Sequence, residues 1–124
     1  MLNCGDTFLT GDGDENNFHL WIIVTPPKEG EAITVCVVTA HKRHERLCVL
    51  NKGDHSFLTH ESVVAYGWSK IRAVADIEAA CETKVAKMKE AISEEILKKA
   101  QGGLVESDFT PNGIRHYFKT VMGL

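Results

Sequence analysis

Long apolar runs are missing from this chain of 124 residues: nothing in it approaches the ~20 consecutive apolar positions needed to cross a bilayer. The opening MLNCGDTFLT has neither the basic segment nor the apolar core of a secretory leader. A soluble cytoplasmic protein with no membrane partner is the expectation. Positive charge is also in short supply. A net charge of −3 and a pI near 6.0 exclude a broad basic face gripping duplex nucleic acid through many phosphates, and leave room only for a small local site. The four cysteines, Cys4, Cys36, Cys48 and Cys81, are too scattered for a disulfide framework. Three of them stand in apolar strand-like or helical settings where a thiol behaves as a small hydrophobe, so buried free thiols are expected. There is no nucleophile elbow, phosphate-binding glycine loop or dinucleotide fingerprint. The glycines of GDGDENN (residues 11–17) lack the lysine and the strand-to-helix setting such loops require, which argues against ATP and NAD chemistry, and no cofactor is assigned.

What is present suffices for a core: 44% of residues are hydrophobic and 25% charged, within the usual size of one domain. Residues 7–9 read as a short strand and 11–17 as a polar loop. A rich strand at 18–25 (FHLWIIVT) stops at Pro26 and Pro27, which cannot donate to a ladder. After a turn at 28–32, residues 33–39 (ITVCVVT) are β-branched almost throughout and predict a strand buried on both faces. Residues 46–50 form a shorter run closing at the 51–54 turn, and 69–74 alternate as a fifth strand. The pattern then changes. Ile77, Cys81, Val85 and Met88 share one face of a helix over 77–89; Ser93 caps a second helix that Gly102 and Gly103 stop. Thr110 and Pro111 open a third, carrying Ile114, Tyr117, Phe118 and Val121. The expectation is a single domain over 1–124, with barrel strands in 1–75 and a helical tail in 76–124: an α+β protein built on a small, strongly bent five-stranded sheet or barrel with C-terminal helices.

The chemistry-bearing residues cluster at strand ends. The densest basic stretch, HKRHER (residues 41–46), is where an anion would dock. Histidine exchanges protons near neutrality, so His19 and His41 on either side of Thr39 make a candidate acid/base set, with Lys42, Arg43 and His44 to hold an anion and His55 and His60 as further substrate contacts. Each has a structural alternative: His19 as an ordinary strand histidine, Thr39 as a strand end, residues 41–44 as a solvated loop, and His55 and His60 as turn or capping residues. Cys36, His41, His44 and Cys48 supply metal-ligand chemistry, but C-x4-H-x2-H-x3-C is not a common zinc pattern and both cysteines read as buried, so no metal is assigned. Trp21, Trp68 and Tyr66 offer stacking surfaces, against the commoner role of core aromatics.

The order of motifs resembles the MazF/PemK family of toxin endoribonucleases. Gly5-Asp6 matches its opening, residues 19–24 its second strand and 35–39 its third. Ser62-Val63-Val64, Lys70-Ile71-Arg72-Ala73-Val74 and Ile92-Ser93-Glu94-Glu95-Ile96-Leu97 match the later motifs, over roughly residues 4–104. The resemblance implies an SH3-like barrel that dimerises, cleaves single-stranded RNA without metal, and is neutralised by an antitoxin protein. It also implies a catalytic arginine where this chain has His19, followed by a proline where it has Leu20, and a catalytic threonine matched by Thr39. The other reading is a non-catalytic barrel module of phage or mobile-element origin that binds a protein or nucleic acid.

Overall fold

A computed structural model describes residues 1–14, 16–41 and 44–124. The described residues form six strands and three helices: β1 (Thr7–Thr10), β2 (His19–Ile23), β3 (Glu31–Thr39), β4 (Val49–Leu50), β5 (Ser62–Ala73), α1 (Val74–Glu82), β6 (Ala86–Lys89), α2 (Glu94–Glu106) and α3 (Asn112–Met122). The strands make one curled antiparallel sheet in the order β4-β5-β3-β2-β1-β6, so the architecture is α+β as expected, with one strand more than the sequence suggested. No helix among the described residues is long and apolar enough to cross a membrane.

Strand alternation sorts the sheet into two buried faces. Leu20, Ile22, Val24, Ile33, Val35 and Val37 pack on one side with Ile96, Ala100 and Leu104 of α2 and Ile114 and Phe118 of α3. Trp21, Ile23, Ala32, Cys36 and Val38 point to the other side, with Phe8 of β1, Ala86 of β6 and Ile77 of α1. This double burial is why β3 reads as an unbroken apolar run; from Ala32 to Val38 every residue is buried. Ser93 caps α2 as expected, its hydroxyl accepting the Ile96 N–H at 3.3 Å.

Four elements depart from the sequence reading. The helix expected over 77–89 ends at Glu82; Lys84 takes a left-handed backbone (φ 64°), and Ala86–Lys89 turns back as β6 on the free edge of β1, pairing Phe8 with Met88 and Thr10 with Ala86. The four-residue spacing of Ile77, Cys81 and Val85 mimicked a helix, but an unpaired strand edge offers backbone partners that a longer helix would have left unsatisfied. The tail is therefore only partly helical. Secondly, the expected strand at 69–74 is the end of β5, which begins at Ser62. A bulge hides its continuity: opposite β3, the partners jump from Ala65 (facing Cys36) to Lys70 (facing Thr34), and Ser69 Oγ closes the extra loop by donating to the Tyr66 carbonyl at 2.8 Å. Thirdly, α2 runs through Gly102 and Gly103 to Glu106. Gly103 is there for packing, since a Cβ on it would lie 2.0 Å from the Tyr66 hydroxyl, which donates to the Ala100 carbonyl at 2.9 Å. Finally, Pro111 rather than Thr110 stands at the start of α3, and no side chain caps it.

Candidate functional site

His19 opens β2 opposite Thr10, on the sheet face shared by Trp21 and Ile23. Thr39 ends β3 opposite Ser62, and alternation gives it the parity of Val35 and Val37 on the other face. The two meet only around the end of the sheet, where a cleft of about 410 Å³ is lined by Phe18, His19, Thr39, Phe57, His60 and Ser62. Three residues picked from sequence, His19, Thr39 and His60, thus share one cleft. His41 is not part of that cleft's lining; its ring meets that of His44 edge-on at 5.5 Å, and His44 lines a separate hollow with Glu45, Trp68 and Phe109. Lys42 and Arg43 lie outside the described residues.

His55 is placed differently again. Its side chain has no exposed surface; Nε2 lies 2.9 Å from Thr7 Oγ1 and 3.0 Å from the Glu90 carbonyl, while Nδ1 accepts the Phe57 N–H at 3.1 Å. Ser56 adds two bonds to the Glu90 carboxylate, from its hydroxyl at 2.7 Å and its N–H at 3.0 Å. Those donors hold the Glu90 carboxyl down to about 2. His55 therefore clasps the 51–58 loop to the ends of β1 and β6.

A second group of side chains gathers on the face that His19 shares; sequence reading gives Trp21 and Trp68 a stacking role as an alternative to core packing, but assigns Asp12, Lys70 and Arg72 no site role. The His19 ring meets Trp68 edge-on at 5.7 Å, and Trp68 is 53% exposed. Beyond the bulge, Lys70 and Arg72 follow at the two-residue spacing of a strand. Arg72 lies over the Trp21 ring at 4.3 Å and Lys70 over it at 5.4 Å. Both cations converge on Asp12 of the β1–β2 loop: Arg72 Nη1 and Nη2 reach its two carboxylate oxygens at 2.9 and 3.3 Å, and Lys70 Nζ is at 3.4 Å. The Arg72 hydrogen bond holds the Asp12 carboxyl below its usual range. The signal that could have found this group was the period-two run of Trp68, Lys70 and Arg72.

No protein-family model matches the chain, and no curated protein matches it at a significant level. Chemistry must therefore be read from the clefts themselves. Among the described residues no three His, Cys, Asp or Glu side chains converge as a metal site. Cys36 and Cys48 belong to the cores on opposite faces of the sheet, which separates the two ends of the C-x4-H-x2-H-x3-C set. Burial pushes the Cys36 thiol up to about 12. What the surface offers is imidazole, hydroxyl and cationic groups beside exposed aromatic rings, a combination suited to a phosphodiester with unstacked bases.

Proposed function

We propose that this chain is a MazF/PemK-like endoribonuclease: an SH3-like barrel extended by β6, cleaving single-stranded RNA without a metal, acting as a dimeric toxin and silenced by an antitoxin laid across its clefts. The observation that carries the reading is the cleft in which His19, Thr39 and His60 meet beside the exposed ring of Phe57. In this scheme one histidine takes the 2′-hydroxyl proton as O2′ attacks phosphorus. The other protonates the departing 5′-oxygen, leaving a 2′,3′-cyclic phosphate and a 5′-hydroxyl. The Thr39 hydroxyl donates to a non-bridging oxygen as charge builds on it. His60 takes the part that sequence reasoning gave to His41. Phe57 and Trp68 stack flanking bases, which fits an RNA site on an acidic protein because stacking needs no net positive charge.

The test is cleavage of a long single-stranded RNA in EDTA with mapped ends. Discrete cuts bearing cyclic phosphate are expected, falling by roughly 100-fold or more in His19→Ala and His60→Ala and unchanged in His41→Ala. Equal cleavage by the parent and both variants defeats the assignment. One observation favours the second reading, a non-catalytic module: strand parity sets His19 and Thr39 on opposite faces, whereas the exposed rings of Trp68, Phe57 and Phe109 need only stack. Folded protein that binds an oligonucleotide, with quenched tryptophan fluorescence and no cuts, selects it.

A further inference from the structure

We propose that Arg72 and Lys70, oriented by Thr34, form a phosphate-binding site that Asp12 occupies from within the chain; the site itself stands on its own geometry, and only the identity of the phosphate as an RNA backbone group rests on the function proposed above. The Arg72 side chain is 16% exposed. Its Nε donates to Thr34 Oγ1 at 3.1 Å, and that hydroxyl donates in turn to the Lys70 carbonyl at 3.2 Å. Its guanidinium rests on Trp21 at 4.3 Å and near Phe8 at 5.6 Å. One edge and one face of the guanidinium are thereby fixed, and both terminal nitrogens are aimed at a single acceptor pair. That fork fits a carboxylate and a phosphate alike.

The present occupant is held by a conformationally demanding loop. Asp12 is left-handed (φ 53°), followed by Gly13 at φ 102°, and its N–H is tied to Thr10 Oγ1 at 2.9 Å. A Cβ on Gly11 would lie 1.9 Å from the Asp14 carbonyl oxygen, so the tight path of the loop requires glycine there. The Asp12 side chain is 43% exposed. It also stands as a partition. Two clefts of about 320 and 310 Å³ both take Thr10, Asp12 and Lys70 as walls. The first adds His19, Trp21 and Trp68, and the Trp21 indole N–H is buried without a hydrogen-bond partner among the described residues. The second adds Arg72 itself together with Asp76, so the fork opens into this cleft, where a phosphate competes with the Asp12 carboxylate beside a second acidic group. A backbone phosphodiester offers the same single charge and pair of acceptor oxygens as the carboxylate, and inorganic phosphate offers more of both, so either fits the fork that Asp12 now fills.

The experiment is calorimetric titration of the full chain with inorganic phosphate. Asp12→Asn removes the competing charge while keeping a residue that tolerates a left-handed backbone, and Asp12→Gly serves the same purpose should the asparagine variant fail to fold. Phosphate binding is expected to tighten at least ~10-fold in either variant and to lose that gain when Arg72→Gln is added. Asp14→Asn removes one charge from the same loop without touching Arg72 and is expected to give no gain. An Asp12 variant no tighter than the parent, a gain that survives Arg72→Gln, or an equal gain in Asp14→Asn overturns the site. A specific phosphate gain in a protein that neither binds nor cuts RNA keeps the site and removes the RNA reading. RNA cleavage without that gain does the reverse.

Discussion

Two adjacent glycines in α2 should respond to the same substitution with opposite signs. At Gly102 a Cβ meets nothing within 4 Å, so Gly102→Ala gains the helix propensity of alanine, about 1 kcal/mol. At Gly103 the new methyl would lie 2.0 Å from the Tyr66 hydroxyl oxygen and 2.5 Å from its Cζ. Tyr66 is fully buried in the larger core and cannot swing into solvent. Burial also raises the pKa of its hydroxyl, which stays protonated as the donor to the Ala100 carbonyl. Overpacking of this kind costs roughly 1–3 kcal/mol and the displaced hydrogen bond about 1 more, against the same ~1 kcal/mol of propensity gained. The net is a destabilisation of roughly 1–3 kcal/mol, or a fall in Tm of the order of 4–12 °C for a domain of this size. Urea unfolding followed by circular dichroism reads both variants directly. Tyr66→Phe should cost about 1 kcal/mol alone and recover part of the loss when combined with Gly103→Ala. If Gly103→Ala stabilises as Gly102→Ala does, the close approach of α2 to β5 is wrong, and with it the reason given for helix continuing through both glycines.

The Ser56–Glu90 clasp should leave a mark at low pH. Because the folded carboxyl is depressed, to about 2, its contribution is fully present above the unfolded value of about 4.3 and is lost as pH falls towards 2. The urea midpoint of the parent should therefore exceed that of Ser56→Ala at pH 5, with the gap closing by pH 2; a gap independent of pH contradicts the clasp. Thiol labelling at pH 8 should touch Cys4 and Cys81, which are partly exposed, well before the buried Cys36 and Cys48, with all four reacting in urea. Early labelling of Cys36 in folded protein would contradict its burial in the core that the sheet shares with Ile77 of α1.

Local signals carried much of the fold. The strands β2 and β3 were legible because both their faces are buried, and the α2 start because Ser93 caps it with its own side chain. What escaped was tertiary. β6 exists because β1, some eighty residues earlier, has an edge to fill, and no window around Ala86 contains that fact. β5 was cut short because its bulge interrupts the alternation between Ala65 and Lys70. The Gly102-Gly103 pair was read as a stop because the tyrosine that requires Gly103 is distant in sequence. The site behaved likewise. His19, Thr39 and His60 were recognisable as reactive types near strand ends, but which of the histidines would share a cleft depended on how the chain returns after β4. The Asp12–Arg72 contact spans 60 residues and was invisible to spacing.

The strand order has a consequence for how this protein meets copies of itself. Among the described residues its two marginal strands are short, two residues in β4 and four in β6, and β6 carries Lys87 and Lys89 along the outermost edge of the sheet. An incoming strand would find little backbone to pair with on one side and repelling ammonium groups on the other, the arrangement that keeps sheets from growing into fibres. Self-association is thereby steered away from the hydrogen-bonding margins and towards side-chain surfaces, where Phe109, Trp68 and Phe57 stand exposed. High concentration should then produce discrete assemblies rather than open-ended ones.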